Sequence, residues 1–293
     1  MPSDNTFEDF SILSGDNVKI RDIDNVINKI KKIRNDGPNK LQIVTDFDRT
    51  ITKQHVNGKE VLSSFGIFFR STQISSELKK EEQRLFKKYR PIELDHDLDL
   101  DKKITAMESW MRETEDILKG IDFDSYEIDQ VVQVHGTDVR DRTKELIDRL
   151  NKAAVPVLVF SAGLGDVVEA ILKFHDVLLS NVKVISNFLS YKDGKLNGFK
   201  NDKLIHVFNK NEEVIDKDYY NTLKSRSNCI LMGDMTGDAT MADGADGIDT
   251  VLKIGFLYEN AESALPSYLD TFDIVLIDDQ SMDVIIDILR PIM

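Results

Sequence analysis

The amino-acid sequence predicts an α/β protein with a mostly parallel sheet and a helical insert. Two observations support this prediction. Apolar runs typical of buried strands alternate with helical patterns before residue 54 and after residue 136, and the long, charged stretch between them shows no central strand. Strands separated by helices form parallel sheets that are covered on both faces. We therefore expect an α/β core in residues 1–54 and 136–293, and a helical cap in residues 55–135.

The elements follow in chain order. Residues 1–20 are polar, and we expect a loosely ordered tail there. Isoleucine and valine recur at helical spacing over residues 23–33, after a suitable N-cap, Asp22. The first core strand covers residues 41–44, and residues 77–89 form a strongly helical part of the insert. The later predictions are a strand at 155–160, a helix at 164–174, a strand at 182–186, a hairpin turning at 192–195, and strands at 229–232, 251–256 and 274–277.

Composition narrows the class of protein. The net charge is −14, from 38 basic and 52 acidic residues, which argues against a nucleic-acid polymer as partner because such binding needs a basic face. The single cysteine, Cys229, excludes an internal disulfide and fits a reducing compartment. Without a signal-peptide pattern or an apolar run of membrane-spanning length, we expect a cytoplasmic protein that does not bind membranes. The lack of a heptad seam favours a monomer.

The most informative motif is Asp46-Phe47-Asp48-Arg49-Thr50, directly after the first strand. Side chains two residues apart on an extended chain face the same side, so both carboxylates should face one site. Two carboxylates this close repel each other unless a cation or a shared proton intervenes. A polar turn is the simpler interpretation of this motif alone, because aspartate is common in turns.

Three further signals follow in the chain. Ser161-Ala162-Gly163 comes after an apolar strand and before a helical pattern, where a hydroxyl and backbone N–H groups can bind phosphate oxygens. Lys210 closes the segment 206–210, and Gly233-Asp234-Met235-Thr236-Gly237-Asp238 places two more acids after a strand. Each signal is weak by itself. Their order, with three of them at strand ends, predicts one phosphate-handling site.

With these motifs the chain resembles the haloacid-dehalogenase superfamily of phosphatases, whose motifs are D-x-D-x-T, Ser/Thr, Lys and GD-x-x-x-D or GD-x-x-GD. More narrowly, it resembles the cytosolic 5'-nucleotidase III (pyrimidine 5'-nucleotidase) family from about residue 20 to the end. The blocks that carry this resemblance are 44–50, 57–59, 92–93, 160–167, 180–188, 198–200, 204–210, 233–234 and 241–244. The resemblance implies a Rossmann-like core with an inserted cap.

Phosphate-ester hydrolysis needs a nucleophile, a proton donor and charge neutralisation, and the motifs supply all three. We assign Asp46 as the nucleophile and Asp48 as the general acid and base. Mg²⁺ is the expected cofactor because it prefers oxygen ligands. The resemblance implies that Asp46, the Asp48 carbonyl and Asp234 bind it, with Asp238 in support. The remaining assignment is that Ser161, Ala162, Gly163 and Lys210 hold the phosphoryl group.

Substrate specificity is expected in the cap. Glu93 matches the family position that hydrogen-bonds the nucleobase, although without the resemblance it would be an ordinary solvated acid. Phe65 and Trp110 could stack on the base or simply pack in the cap. We include Thr114 among the base-contacting residues. Met111 and Thr114 stand where the family carries Tyr and Ser, and Met235-Thr236 replaces Ser-Gln.

The leading hypothesis is a Mg²⁺-dependent 5'-nucleotidase acting on nucleoside monophosphates. Pyrimidine nucleotides are the preferred substrates in this hypothesis. 7-methyl-GMP is a further candidate substrate if aromatic rings enclose its cationic base. The alternatives are a nucleoside phosphotransferase or another small-molecule phosphomonoesterase, because exclusion of water by the cap decides which acceptor reacts. The intact acids and Lys210 argue against a protein that only binds its ligand.

Overall fold

The computed structural model describes residues 8–95, 98–210, 223, 225–243 and 247–293. The described strands are β1 (Val18–Lys19), β2 (Leu41–Thr45), β3 (His55–Val56), β4 (Lys59–Glu60), β5 (Val157–Leu164), β6 (Val182–Asn187), β7 (Leu189–Lys192), β8 (Lys195–Phe199), β9 (Asn228–Gly233), β10 (Thr250–Leu257) and β11 (Ile274–Ile277). The described α-helices are α1 (Ile23–Asp36), α2 (Ser64–Phe68), α3 (Ser76–Leu94), α4 (Leu100–Leu118), α5 (Glu127–His135), α6 (Thr143–Lys152), α7 (Gly165–Phe174), α8 (Ala261–Thr271) and α9 (Asp283–Leu289).

A mostly parallel sheet of seven strands forms the centre of the described structure. Its order is β1-β11-β10-β9-β2-β5-β6, and each neighbouring pair is parallel except β1 with β11. β2 and β9 are buried along their whole length, as expected for a sheet covered on both faces. The sheet places the carboxyl ends of β2, β5 and β9 side by side, and in open α/β sheets ligands bind at that edge. The predicted α/β fold class is confirmed.

The start of the chain differs from the prediction. Residues 8–14 form two short 3₁₀ turns on either side of a kink at Phe10, with Phe10 and Leu13 buried, and β1 pairs with β11. The expected loosely ordered tail is therefore wrong for residues 8–20, because two apolar side chains and one short strand pairing hold the segment against the core. Residues 1–7 lie outside the described part of the chain, as does Gly244 at the end of the last resemblance block.

The insert is helical, as expected, but its helices pack on different partners. α3 and α4 pack against each other, whereas α2 and α5 pack against α7 of the α/β layer. A short hairpin, β3–β4, precedes α2 and was not predicted. The division of the chain at residues 55 and 135 stays a prediction.

Most predicted elements are present, with shifted ends. The Asp22 carboxylate accepts a hydrogen bond from the Asn25 N–H at 3.0 Å and caps α1, which ends three residues later than predicted. The hairpin turn lies at Asp193 and Gly194, which have left-handed φ values of 52° and 78°. None of the helices in the described ranges combines the length and apolar composition that crossing a membrane requires.

Candidate active site

The first motif, Asp46–Thr50, continues directly from β2. The Asp46 N–H donates to the Met232 carbonyl at 2.9 Å, which holds the end of β2 beside β9. Asp46 is 5% exposed, while Phe47 is fully buried on the other side of the chain. Arg49 then adopts a left-handed conformation with φ 65°, which turns the chain away from the strand direction. Asp46 and Asp48 therefore reach the same edge of the sheet, as their spacing predicts.

Lys210 connects two of the acids. Its Nζ donates to Asp46 Oδ1 and, at 2.8 Å, to Asp238 Oδ1, and all three side chains are buried. Burial alone would lower the pKa of Lys210, but the carboxylates of Asp238 and Asp46 outweigh that effect and raise it. Lys210 is thus a permanently charged group placed at the end of β2, where it can offset negative charge on a bound anion.

The segment before Lys210 is anchored by amide side chains. Asn187, at the end of β6, donates to the carbonyls of Ala162 and Ile205 at 3.0 and 2.9 Å and accepts from the Ile205 N–H at 2.9 Å. Asn209 accepts from the His206 N–H at 2.8 Å and donates to the Leu204 carbonyl at 2.9 Å. These bonds tie the lysine segment to the end of β5.

Three carboxylates form a candidate cation site. Asp46, Asp234 and Asp238 each offer one oxygen, and these oxygens lie within 4.8 Å of one another. Burial raises the pKa of Asp46 to about 7 although Lys210 opposes it, and burial and the neighbouring acids raise the pKa of Asp234 well above its usual value. A set of oxygen ligands alone suits a hard divalent cation, which would relieve the repulsion. The residues therefore fit such an ion.

Local packing explains the glycine in the Gly233-Asp234 motif. A Cβ at Gly233 would lie 2.3 Å from the Cβ of Asp238, so no other residue fits where β9 passes the second acid. The Met235 N–H donates to Asp238 Oδ2 at 3.0 Å, and the Tyr268 hydroxyl donates to the Asp234 carbonyl. These two hydrogen bonds hold the segment from Asp234 to Asp238 in place.

Asp48 is held by a residue that the sequence analysis missed. Ser64, at the start of α2, donates its N–H to Asp48 Oδ1 at 2.8 Å and its hydroxyl to Asp48 Oδ2 at 2.7 Å. The same hydroxyl accepts from the Leu164 N–H at 3.0 Å, so Ser64 connects the first motif to the end of β5. Burial raises the pKa of Asp48, and the two bonds from Ser64 oppose that rise. No motif marks Ser64, because it lies in the insert and reaches Asp48 only in the folded chain.

Ser161, Ala162 and Gly163 lie within β5, where the sequence predicted a helix N-terminus. The pairing of β5 with β6 is irregular between Phe160 and Leu164, so the three residues bulge from the ladder. The Gly163 N–H donates to Ser161 Oγ at 3.0 Å, which leaves the Ser161 hydroxyl hydrogen free to donate elsewhere. A Cβ at Gly163 would lie 2.1 Å from Ser64 Oγ and 2.8 Å from Asp48 Oδ2. Only glycine therefore fits at this close approach to Asp48.

Glu93 lies at the end of α3 in a network of charges. Arg90 donates to Glu93 and, at 3.4 Å, to Glu259 of the α/β layer. Arg49, directly after Asp48, donates to the same Glu259 at 2.8 Å and to Glu60 at 3.3 Å. Arg49 and Arg90 also line a cavity of about 120 Å³ that reaches Asp234. The network connects the first motif with the helix that carries Glu93.

The other predicted base-contacting residues lie in apolar surroundings. Trp110 is stacked on Tyr89, with ring centroids 5.7 Å apart, and the half-buried Phe65 meets Phe199 edge-on at 6.1 Å. Met111 and Thr114 are buried on α4. Trp110 and Phe65 therefore pack as ordinary core aromatics do, and their stacking on a base, like any contact of Thr114 with it, stays a prediction.

The chain has a haloacid-dehalogenase-like α/β fold. A substrate-bound phosphoserine phosphatase superimposes with a TM-score of 0.52, covering 87% of this chain and 98% of that chain at 20% identity, which shows the shared fold alone. The chain belongs to the pyrimidine 5'-nucleotidase family, because the family model "Pyrimidine 5'-nucleotidase (UMPH-1)" matches residues 49–293. The match begins directly after Asp48.

Relatives with known names agree with this family. A 7-methylguanosine phosphate-specific 5'-nucleotidase of Drosophila melanogaster is 43% identical over 280 residues, covering 94% of this chain and 88% of the relative. The enzyme of the same name from Homo sapiens is 35% identical over 288 residues, covering 98% and 96%. A crystal structure of cytosolic 5'-nucleotidase IIIB bound to cytidine superimposes with a TM-score of 0.92 at 43% identity, covering 98% of this chain and 97% of that chain. The chain is a 5'-nucleotidase.

Proposed function

We propose that this protein hydrolyses nucleoside 5'-monophosphates to nucleoside and phosphate, with Asp46 as the nucleophile and Mg²⁺ as the cofactor. The observation that supports this most directly is the position of Asp46. Its carboxylate lies at the end of β2, paired with Lys210 and within 4.8 Å of the acidic oxygens of Asp234 and Asp238. In that setting a carboxylate can attack an anionic phosphoryl group.

In the proposed first step, an Asp46 oxygen bonds to phosphorus while the bond from phosphorus to the 5'-oxygen of the nucleoside breaks. Asp48, protonated, gives its proton to the departing 5'-oxygen. Ser161, the backbone at Ala162 and Gly163, and Lys210 hold the phosphoryl oxygens. Bound Mg²⁺ supplies further neutralisation of the phosphoryl charge. The Asp46 carboxylate, the Asp48 carbonyl and Asp234 would hold the ion, with Asp238 in support.

In the proposed second step, the Asp48 carboxylate takes a proton from water. The water oxygen bonds to phosphorus, and the bond to Asp46 breaks, which releases phosphate and restores both acids. The bonds from Ser64 support this assignment, because they hold both oxygens of Asp48 in one orientation. Held in this way, one carboxyl group can serve both proton transfers.

For the base, we propose that Glu93 accepts a hydrogen bond and that 7-methyl-GMP and pyrimidine nucleotides such as CMP are both substrates. The named relatives act on 7-methylguanosine phosphate, and cytidine is bound in the structural relative. A carboxylate that Arg90 holds in place suits a cationic methylated guanine and also the amino group of cytosine. The name of the structural relative, together with the single buried cysteine, supports a cytosolic location.

Turnover of the purified protein and of Asp46→Asn, with and without Mg²⁺, tests the proposal. The substrates are CMP, UMP, dTMP, AMP, GMP and 7-methyl-GMP. We expect Mg²⁺-dependent phosphate release by the wild type, none above background by the variant, and unchanged circular dichroism. Acid quenching of wild-type turnover should trap a phosphoryl group on Asp46, seen by mass spectrometry. Wild-type-like release by Asp46→Asn would remove Asp46 as the nucleophile.

A further inference from the structure

The turn after Asp48 is held by one buried arginine from outside the recognised motifs. Three consecutive carbonyls, those of Arg49, Thr50 and Ile51, accept hydrogen bonds from Arg140. Its Nη2 reaches Arg49 O at 2.5 Å, its Nε reaches Thr50 O at 2.7 Å, and its backbone N–H reaches Ile51 O at 2.9 Å. Its Nη1 donates to the Asp279 carbonyl.

The environment of Arg140 is unusual for a charged side chain. Arg140 is 1% exposed, and its guanidinium lies 3.8 Å from the centre of the Phe256 ring. Burial lowers its pKa to about 10. Among the described residues no carboxylate forms an ion pair with Arg140, and its direct contacts are backbone carbonyls and the Phe256 ring. The carboxylates of Asp279, Asp234 and Asp278 act on its charge without such a contact. Removing an arginine from water without a direct ion pair is unfavourable, and an apolar residue would fill the space at a lower cost in desolvation.

We propose that Arg140 is a positioning residue for the phosphoryl-transfer site. This rests on the proposed roles of Asp46 and Asp48. By fixing the peptide groups that directly follow Asp48, the guanidinium holds the left-handed turn at Arg49 and thereby the direction of the Asp48 carbonyl and carboxyl. A planar fork with donors in fixed directions can hold two neighbouring carbonyls at once, which a lysine ammonium cannot do with the same precision.

The chain contains a control at the other end of the same strand, where a half-buried arginine also binds backbone carbonyls. Arg226 donates to the carbonyls of Pro38, Leu41 and Ala154 at 2.8, 2.6 and 2.8 Å. Leu41 is the first residue of β2, so Arg226 holds the amino end of the strand whose carboxyl end leads to Asp46. Both arginines bind backbone carbonyls around β2, but only Arg140 does so beside the acids.

The test compares Arg140→Lys with Arg226→Lys, using p-nitrophenyl phosphate and CMP as substrates. We expect Arg140→Lys to lower kcat at least tenfold for both substrates, with KM changed less than threefold. Arg226→Lys should keep kcat within twofold of the wild type, whatever its loss of thermal stability. The rise in Tm on adding Mg²⁺ should be smaller in Arg140→Lys than in Arg226→Lys, because the loosened turn holds the Asp48 carbonyl less well.

A second variant, with alanine at position 140, tests the inference without introducing a lysine side chain. In Arg140→Ala, millimolar methylguanidinium should raise kcat in a saturable manner, and it should not do so in Arg226→Ala. Equal kcat losses in the two lysine variants, or no specific rescue, would show a structural role only and overturn the inference. The inference would also be overturned if both Arg140 variants failed to fold while the Arg226 variants folded. Wild-type turnover by Asp46→Asn would overturn the proposed function itself. An inactive Asp46→Asn together with an unimpaired Arg140→Lys would overturn only this inference.

Discussion

Ser64→Ala tests whether the insert directly controls the reaction centre. The substitution keeps the bond from the Ser64 N–H to Asp48 Oδ1 and removes the hydroxyl bond to Oδ2. It also leaves the buried Leu164 N–H without the acceptor that it has at 3.0 Å. We expect lower kcat and a moderate loss of stability, with little change in KM.

The size of both effects follows from the bonds removed. A hydrogen bond to a charged group contributes about 1.5–3 kcal/mol, and if Asp48 needs that bond in the transition state, kcat falls roughly 10- to 100-fold. The orphaned Leu164 N–H destabilises the folded chain by about 1–3 kcal/mol. The two losses are separate observables, because the first acts on the rate and the second on folding.

Ser71→Ala is a suitable control. Ser71 is also buried in the insert, its hydroxyl donates to Glu127 Oε1 at 2.9 Å, and it accepts from the Gln73 N–H at 3.0 Å. The two serines thus lose the same kinds of bond, but only Ser64 touches Asp48. Urea unfolding and steady-state hydrolysis of p-nitrophenyl phosphate and CMP should give similar stability losses and a rate loss in Ser64→Ala alone. Equal kcat in the two variants would refute the role of Ser64.

Three further outcomes are expected. Glu93→Gln should lower kcat/KM for the preferred nucleotide roughly 10- to 1000-fold through one lost charge-assisted bond and some misplacement, while p-nitrophenyl phosphate turnover changes little; equal losses on both substrates would contradict this. Gly163→Ala should lower kcat about 100-fold or more, because the added Cβ would lie 2.1 Å from Ser64 Oγ. Gly66→Ala is the control: its added Cβ would lie 3.4 Å or more from its neighbours, so this variant should stay active in the same assay. Burial lowers the pKa of His206 to about 4. Between this value and the ordinary histidine pKa of about 6.5, the unfolded chain binds a proton at His206 and the folded chain does not. The free energy of unfolding should therefore fall as the pH drops from about 6.5 to about 4. His206→Gln should flatten that fall by roughly 3 kcal/mol in urea unfolding at several pH values, and an unchanged slope would speak against it.

The parts of the site that the sequence revealed are those set by short-range geometry. Asp46 and Asp48 are two residues apart after an apolar run, and that spacing alone places them on one side of the chain. Ser64 and Arg140 could not be found in this way, because each contacts the first motif only after distant segments meet. Ser161 was misplaced at a helix end, since the continuation of β5 depends on its irregular pairing with β6.

The same limit applies to the larger elements. The order of strands and helices follows from the pattern of apolar residues, which reports burial on both faces of a sheet. The packing of residues 8–20 cannot be predicted from that pattern. The two-residue strand β1 is too short to show a periodicity of apolar residues, and its partner β11 stabilises it. The hairpin β3–β4 is equally short, so it too was invisible in the sequence.

The way in which the sheet joins distant segments has a consequence for biosynthesis. β5, β2 and β9 are neighbours in space, yet the insert separates the first two in the chain and Lys210 precedes the third. A ribosome-bound chain that has only just exposed β2 carries Asp46 and Asp48 but neither Lys210 nor Asp234. Such non-local pairings form late, after long loops have closed. Nascent and truncated chains should therefore be unable to hydrolyse nucleotides, and recovery of activity during refolding should report completion of the whole sheet.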